Sequence, residues 1–593
     1  MNETFPARTV AGIISAMAQS HGTSAAIVHR GSGSWDSVSY HDFSSIVSEV
    51  GRGLLGLGLQ PGDRVCILSD TRPEWTYVDY AIVCAGGVVV PIYPSSTAEE
   101  CAWVVSDSGA RMVICENAAQ LSKIDSIRDR LPELQTVVVI DPVEASGARS
   151  LEMIRSAGRA ASTDELLRRS AAVEPEDPWS IVYTSGTTGP PKGCVLTHGG
   201  MTSVCDGVRE LGVFAADERS YLFLPLAHMF ARIIALMSAD VGATVIYFSG
   251  DTSAIVDELA ETKPTFLPSV PRIFEKIYIK ATAAAADSSA PKRAIFNWAV
   301  GVGRRVARLT EEGRQPSGFL AIQHNVADRL VFSKVRGLLG GQVRNALTGA
   351  APIAPEILEF FYGAGIPVLE GYGMTESTAA IAITPPGRPR FGTVGTALPG
   401  VEIRIAEDGE ILARGKNVFA GYFGNPEATA ETVIDGWLHT GDLGALDADG
   451  YLTITGRKKD IIITAGGKNL SPANVENDLQ CSRWISRALM HGDRRPYPVA
   501  LITLDPDEIS AYAAANDLPA TLTELAAHPR IRELIQGEVD TVNERHAKVA
   551  QIKKFAILDR DFSQESGELT PTLKIRRAVI EKAHTTVLDG LYS

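Results

Sequence analysis

The sequence has few cysteines, and none is placed for a metal or a redox pair. Its seven thiols, Cys66, Cys84, Cys101, Cys115, Cys194, Cys205 and Cys481, form no CxxC pair and no Cys/His cluster at zinc spacing. A zinc module and a disulfide framework are therefore not expected. The thiols read as reduced residues of a cytoplasmic protein, most of them small core hydrophobes. Long apolar runs are also missing. The longest lies near residues 81–91 and is interrupted by Gly86 and Gly87, whereas a bilayer span needs about 20 residues. Peripheral contact with the inner face of a membrane stays open; passage through it does not. The opening stretch MNETFPARTV has no basic start followed by an apolar segment, so no signal peptide is expected. Positive charge is in deficit as well. A formal net charge of −14 argues against a nucleic-acid partner, whose phosphates favour a basic face. A small anionic substrate is not excluded, because a local pocket can still be basic. There is no internal repeat and no low-complexity tract, and nothing sets the oligomeric state.

What is present is an ordinary globular composition, 45% hydrophobic and 21% charged, over a length of 593 residues that calls for two to four domains. Phe43, Ile46, Val47, Val50 and Leu54 recur at helical spacing, and the turn at Gln60-Pro61-Gly62-Asp63 ends that helix. Short apolar strands are expected at 64–68, 88–93, 111–115 and 137–140, with helices at 75–84 and 98–105 between them. This βαβα order predicts a parallel sheet covered by helices. The alternation resumes after Ile181. Residues 289–342 are rich in helix formers. From Val401 onward, short strands at 402–405, 410–414 and 451–455 separated by Gly/Asp turns predict a small β-rich subdomain. The segment after Arg457 is long enough for an α+β domain of its own.

The pattern Gly51-Arg52-Gly53-Leu54-Leu55-Gly56 matches GxGxxG but falls inside an amphipathic helix, so it lacks the strand-to-helix context of a dinucleotide site. A more informative stretch is Tyr183-Thr184-Ser185-Gly186-Thr187-Thr188-Gly189-Pro190-Pro191-Lys192-Gly193. A strand at 180–183 feeds a loop whose glycines let backbone N–H groups converge on an anion. Thr184, Ser185, Thr187 and Thr188 add hydroxyl donors and Lys192 adds a positive charge. The spacing is not that of a Walker A loop. On composition alone, an ordinary flexible turn remains the alternative.

Followed by Leu196-Thr197-His198, this stretch resembles the phosphate loop of the adenylate-forming superfamily, and further segments resemble that superfamily's motifs in order. Thr348-Gly349-Ala350-Ala351-Pro352-Ile353 resembles the adenine-side loop, with a departure from the Ser-Gly-Gly-Ala-Pro-Leu more usual in long-chain members. Glu370-Gly371-Tyr372-Gly373-Met374-Thr375-Glu376-Ser377 resembles the next motif. The resemblance implies that Tyr372 packs on adenine, Thr375 contacts phosphate and Glu376 holds Mg²⁺. An aromatic face suits a purine, and a hard cation wants oxygen. Trp437-Leu438-His439-Thr440-Gly441-Asp442 and Gly456-Arg457-Lys458-Lys459-Asp460 complete the nucleotide site by resemblance. Asp442 and Arg457 would face the ribose hydroxyls, and Lys459 falls at the hinge. Gly567-Glu568-Leu569-Thr570-Pro571-Thr572-Leu573-Lys574 resembles the motif that carries a mobile catalytic lysine, Lys574. The matches span roughly residues 40 to 580.

Leu224–Arg232, Val270–Lys276 and Thr464–Asn469 look like the long-chain fatty acyl-CoA synthetase (AMP-forming) branch, as does the extended C-terminal segment. The fold then expected is α/β: a large multi-subdomain N-terminal domain with a β-rich part (1–456), a hinge (457–460) and a small mobile α+β domain (461–593). The expected activity joins a fatty acid to AMP and then to CoA, with ATP, Mg²⁺ and CoA required. His228 matches a residue near the acyl pocket, with a satisfied core histidine as the alternative. Gly466 and Gly467 would help form the CoA tunnel. Phe223, Phe230 and Phe274 are candidates for an acyl tunnel or for plain core. Lys292, Arg293, Arg304, Arg305 and Arg308 around Trp298 are either a solvated helix face or a contact for anionic lipid. An acyl-AMP ligase with a carrier thiol or amine as acceptor is the competing enzyme, and a non-catalytic acyl- or nucleotide-binding protein the competing class. Cys194 beside the phosphate loop is either redox-sensitive or simply buried.

Overall fold

The computed structural model describes residues 8–143, 148–184, 190–570 and 573–593. Short runs of Val, Ile and Cys form its innermost strands. In Arg64–Leu68, Val88–Ile92 and Met112–Cys115 nearly every side chain is buried on both faces, as parallel strands covered on both sides require. Among the described residues they belong to an eight-stranded sheet in the order Gly421–Tyr422, Lys192–Thr197, Pro178–Thr184, Val88–Ile92, Arg64–Leu68, Met112–Cys115, Thr136–Val139, Arg149–Ser150. A second sheet of nine strands runs Thr396–Ala397, Ala382–Ile383, Val368–Tyr372, Asn345–Thr348, Phe266–Ser269, Arg219–Leu222, Thr244–Tyr247, Ala25–Arg30, Trp35–Ser39.

The strands expected at 64–68, 88–93, 111–115 and 137–140 pair in parallel within the first sheet, as their alternation with helices predicts, and the structure adds two features that local pattern does not carry. The strands are divided between two sheets. Both sheets also carry antiparallel pairs: Pro178–Thr184 with Lys192–Thr197 in the first, and Ala25–Arg30 with Trp35–Ser39 in the second. The chain starts in the second sheet, crosses to build most of the first, and returns. Strand assignment depends on partners far along the chain, so local pattern does not reveal it. The GxGxxG segment lies within the helix Tyr40–Gly56, as its periodicity predicts.

Between the sheets lie the helices Pro73–Cys84, His198–Glu210 and Met229–Val241, whose apolar residues join both sheets in one core. A charge sits inside that core. Arg232 is 2% exposed. Its guanidinium meets Asp79 Oδ1 at 2.6 Å, donates to Ser180 Oγ at 2.7 Å, and lies 4.0 Å from the Trp179 ring centre. Two helices are thus bolted to the strand Pro178–Thr184, which leads into the glycine-rich loop. Burial pushes the Asp79 carboxyl up, and Arg232 opposes that shift.

The β-rich part predicted after Val401 is a five-stranded sheet of Val401–Ile405, Glu410–Gly415, Trp437–Leu446, Val433–Ile434 and Leu452–Arg457. From Ile462 the chain builds separate cores around a three-stranded sheet of Ile485–His491, Val499–Leu504 and Lys554–Ile557. This C-terminal part docks on the rest through Arg272–Asp505 at 3.3 Å, Arg545–Glu356 at 3.1 Å and Arg576–Glu100 at 3.8 Å.

Removing one partner of the interior ion pair leaves a buried charge uncompensated. Asp79→Ala is expected to lower unfolding stability by about 3–5 kcal/mol, while the double replacement Asp79→Leu/Arg232→Met loses much less. Denaturant titration of both proteins checks this; equal losses would show that the charge is not what makes the site sensitive.

Candidate active site

The segment that resembles a phosphate loop joins the antiparallel strands Pro178–Thr184 and Lys192–Thr197. Thr184 pairs with Lys192 across these strands, so both stand at the segment's base. Ser185, Gly186, Thr187 and Thr188 lie outside the described residues. The Lys192 ammonium is 4.9 Å from the ring centre of Tyr422, whose hydroxyl donates to Glu376 Oε1 at 2.8 Å. Lysine, aromatic ring and carboxylate thus form one chain of contacts. Tyr422 reaches it because the strand Gly421–Tyr422 adds to the hairpin's edge, opposite Cys194. Sequence reading passed over Tyr422. Its only signal is a Gly-Tyr pair ahead of the Asn425–Thr432 segment, which says nothing about a strand joining residue 194. Cys194 is fully buried, and burial, then the Glu376 charge, hold its thiol well above the usual range. It is a core thiol and not a redox-poised one.

A second cluster centres on Asp442, which is 5% exposed. One carboxylate oxygen accepts from the Tyr372 hydroxyl at 2.8 Å, and the other meets Arg457 Nε at 2.9 Å. Tyr372 ends the strand Val368–Tyr372, and Asp442 and Arg457 face each other across two strands of the five-stranded sheet. One carboxylate therefore ties two sheets together. The Tyr372–Asp442 bond was not foreseen, because 70 residues separate the two. Beside Tyr372, burial pushes the Glu370 carboxyl up to about 8.

The adenine-side loop leaves the strand Asn345–Thr348, whose Thr348 pairs with Glu370. It therefore lies alongside the segment carrying Tyr372. A Cβ on Gly349 would come within 2.9 Å of the Gly371 carbonyl oxygen, and one on Gly373 within 2.1 Å of that of Ala379. Both positions need glycine for close backbone approach. The departure from the family pattern is visible here: Ala350 adopts φ +69°, where glycine carries no penalty, and Ala351 follows it, exposed. Thr375, half-buried, opens the short helical turn Thr375–Ser377 that also presents Glu376.

Lys574 is tied to Thr570: Thr570 N–H donates to its carbonyl at 2.9 Å, and its own N–H donates to Thr570 Oγ1 at 3.0 Å. Pro571 and Thr572 lie outside the described residues. The Lys574 pKa is lowered, first by loss of water around the ammonium and then by Arg457, with Asp442 and Glu376 opposing. His228 caps the helix Met229–Val241, its Nδ1 accepting from Phe230 N–H at 3.3 Å. Burial and then the Lys574 charge bring its pKa down to about 4, so the ring is neutral near pH 7. Lys574 thus sits within electrostatic reach of His228, Arg457, Asp442 and Glu376, which come from four separate stretches of chain.

Other candidates lie apart. Gly466 and Gly467 form the exposed turn between Ile462–Ile463 and Asn469–Leu470, on the C-terminal part. Lys459 is exposed just after Lys458, whose ammonium meets Asp408 at 2.5 Å and Glu410 at 3.1 Å. Phe274 is fully buried and packs edge-on against Phe361, so it is core and not tunnel wall. Phe223 and Phe230 are half-buried. Among the described residues, no group of three or more His, Cys, Asp and Glu side chains could hold a metal unaided. Glu376, a buried carboxylate whose Oε1 accepts from Tyr422, is an oxygen donor of the kind Mg²⁺ takes.

Ala350→Gly is expected to raise unfolding stability by up to about 1 kcal/mol, the steric penalty of the left-handed backbone less the extra entropy of glycine. A denaturation midpoint lowered by the change would contradict the strained conformation.

Comparison with known proteins agrees with this geometry. Residues 14–423 match the AMP-binding enzyme family model, and residues 459–593 match the AMP-binding enzyme C-terminal domain. The long-chain-fatty-acid–CoA ligase FadD15 of Mycobacterium bovis is 40% identical over 95% of this chain and 93% of its own length. The long-chain-fatty-acid–CoA ligase ACSBG2 of Xenopus laevis is 31% identical over 99% of this chain and 84% of its own. The crystal structure of the anthranilate CoA ligase AuaEII in complex with anthranoyl-AMP superposes with a TM-score of 0.75, at 22% identity, covering 99% of each chain, and shows the same fold. Both parts of the chain thus match family models, and the chain belongs to the AMP-binding enzyme family.

Proposed function

We propose that the protein activates a long-chain fatty acid with ATP and transfers the acyl group to CoA. The observation that carries this reading is the Asp442 carboxylate shared by Tyr372 and Arg457, together with the Lys192–Tyr422–Glu376 chain of contacts at the base of the glycine-rich hairpin. In the first half-reaction a carboxylate oxygen forms a bond to the α-phosphorus of ATP, and the bond to the β-phosphate bridging oxygen breaks. Acyl-AMP and pyrophosphate result. Two anions must meet, so charge is the main barrier. Lys574 offsets the charge at the reacting phosphate, and Lys192 and the loop hydroxyls do so at the leaving group. Thr375 donates to phosphate. Tyr372 and the Gly349–Ala351 loop hold the base, and Asp442 and Arg457 hold the ribose. Glu376 would hold Mg²⁺, which when bound neutralises phosphate charge. His228, neutral, orients the acyl end.

In the second half-reaction the CoA thiol gives up its proton to solvent, its sulfur forms a bond to the acyl carbon, and AMP departs with the electron pair of the broken C–O bond. The family's lysine has to leave for a thiol to approach. We place the division of the chain at 457–460. Arg457 and Lys458 are held by carboxylates of the N-terminal part, so rotation begins at Lys459. The pairs Arg272–Asp505 and Arg545–Glu356 would break on the way, and the turn at Gly466 and Gly467 would move to the thiol path. A long-chain acid partitions into bilayers, so the reading includes peripheral contact with a membrane. Among the described residues no helix is long and apolar enough to cross one.

Mass spectrometry of products from ATP, Mg²⁺, CoA and acids of graded length tests the whole. Thioesters that peak with long acids agree with it. Acyl-AMP that accumulates without thioester would move the acceptor to a carrier thiol or an amine. Lys574→Ala is expected to lower acyl-AMP formation by 100-fold or more, on the order of an essential electrostatic contact, while thioester formation from supplied acyl-AMP stays within about threefold. Equal loss of both halves would remove Lys574 from its role. Lys459→Pro fixes φ at the hinge and is expected to slow the thioester half-reaction selectively; an unchanged rate would place the hinge elsewhere.

A further inference from the structure

The region 290–337, which the reaction does not use, ends in an unusual helix. Gly318–Ala327 continues through a π-helical turn, Asp328–Phe332, into Ser333–Gly337. Its inner side is accounted for. His324 Nε2 meets the Gly363 carbonyl oxygen at 2.8 Å, and Ala327, Val331 and Phe332 join the second core. Its outer side is also apolar. Phe319, Ile322, Val326 and Leu330 recur at helical spacing and are 73%, 60%, 45% and 43% exposed. The adjoining helix Ala290–Glu311 adds Ile295 and Trp298 at 41% and 37% exposed. Single exposed apolar residues are commonplace, but a continuous stripe on two neighbouring helices marks an interaction surface.

Charge decides what covers it. Residues 290–337 carry nine lysines and arginines against three carboxylates, in a chain whose net charge is −14. Some are spoken for: Arg304 and Arg308 reach Glu359, Arg314 reaches Glu312, and Arg336 reaches Asp328. Two arginines of the basic stretch read from sequence, Arg304 and Arg308, are therefore already ion-paired. Lys292, Arg293, Arg305, Arg329 and Lys334 have no carboxylate within ion-pairing distance among the described residues, and all five are exposed. Arg305 is fixed beside the stripe by its bond to Gln323 Oε1 at 3.2 Å. Arg329 lies one turn from Val326 and Lys334 one turn from Leu330.

We propose that this face, Phe319–Leu330 with the flanking cations, is the surface by which the protein lies on an anionic bilayer. The stripe would enter the headgroup boundary while the lysine and arginine heads stay at phosphate level, the arrangement of an interfacial helix. A second copy of the chain fits worse: a two-fold contact would bring the same unpaired cations face to face. The assignment deepens the peripheral-contact reading above, and its test does not use catalysis.

The test is flotation of the full-length protein with vesicles of phosphatidylglycerol and phosphatidylcholine, against phosphatidylcholine alone. The wild type is expected to float with the anionic vesicles and to be released several-fold as salt rises from about 0.05 to 0.5 M. Phe319→Ser/Ile322→Ser and Arg329→Glu/Lys334→Glu are each expected to lower the bound fraction by about tenfold or more. Both pairs are exposed, so thermal midpoints and ligation of a short soluble acid should match wild type. Variants that float as well as wild type would overturn the surface while leaving peripheral contact standing. A wild type that stays in solution would overturn both. A wild-type dimer that the Phe319/Ile322 pair splits, with no flotation, would give the face to a second copy.

Discussion

Much of the site depends on a single carboxylate. Asp442 accepts from Tyr372 on one sheet and from Arg457 on another, and its charge is felt by Lys574 on the C-terminal part. A buried carboxylate needs such partners, since desolvation without them costs several kcal/mol. The demand for partners brings three separate pieces of chain to one point. Arg457 is also the first residue of the proposed hinge at 457–460, so the group that would hold ribose also anchors the chain where rotation would begin.

The interior ion pair of Asp79 and Arg232 does a related task at a distance. It does not reach the cleft. It fixes two helices against the strand that ends at the phosphate hairpin, with Ser180 as the direct link. One of those helices is capped by His228. The orientation of the hairpin and the position of the histidine are therefore set by the same buried guanidinium. On the hairpin's far side, Tyr422 joins Lys192 to Glu376. These contacts keep three charged or titratable groups in register before any nucleotide arrives, which is what electrostatic preorganisation requires.

Ion pairs join the C-terminal part to the rest of the chain. The contacts that dock the C-terminal part include ion pairs with at least one partner partly exposed, and such pairs contribute about 0–1 kcal/mol each. Such pairs would yield readily if the C-terminal part turns between the half-reactions as proposed. The exposed stripe at Phe319–Leu330 lies on the N-terminal side, so a membrane contact there would leave the C-terminal part free to turn.

The sequence by itself determined the local elements and the order of the chemical segments. Helices such as Tyr40–Gly56, strands such as Arg64–Leu68 and the glycines at 349 and 373 follow from periodicity, turn residues and backbone space, all of which act within a few residues. Only the tertiary structure decided which strand joins which sheet, that Tyr422 completes the Lys192–Glu376 chain, that Asp442 is shared by Tyr372 and Arg457, that Phe274 is core, that Cys194 is sealed off, and that the helix at Gly318–Ala327 turns apolar residues outward. Each of these depends on groups tens to hundreds of residues apart. Sequence pattern reports which side chains prefer burial, but their actual partners are set by how the two sheets pack on their shared helices.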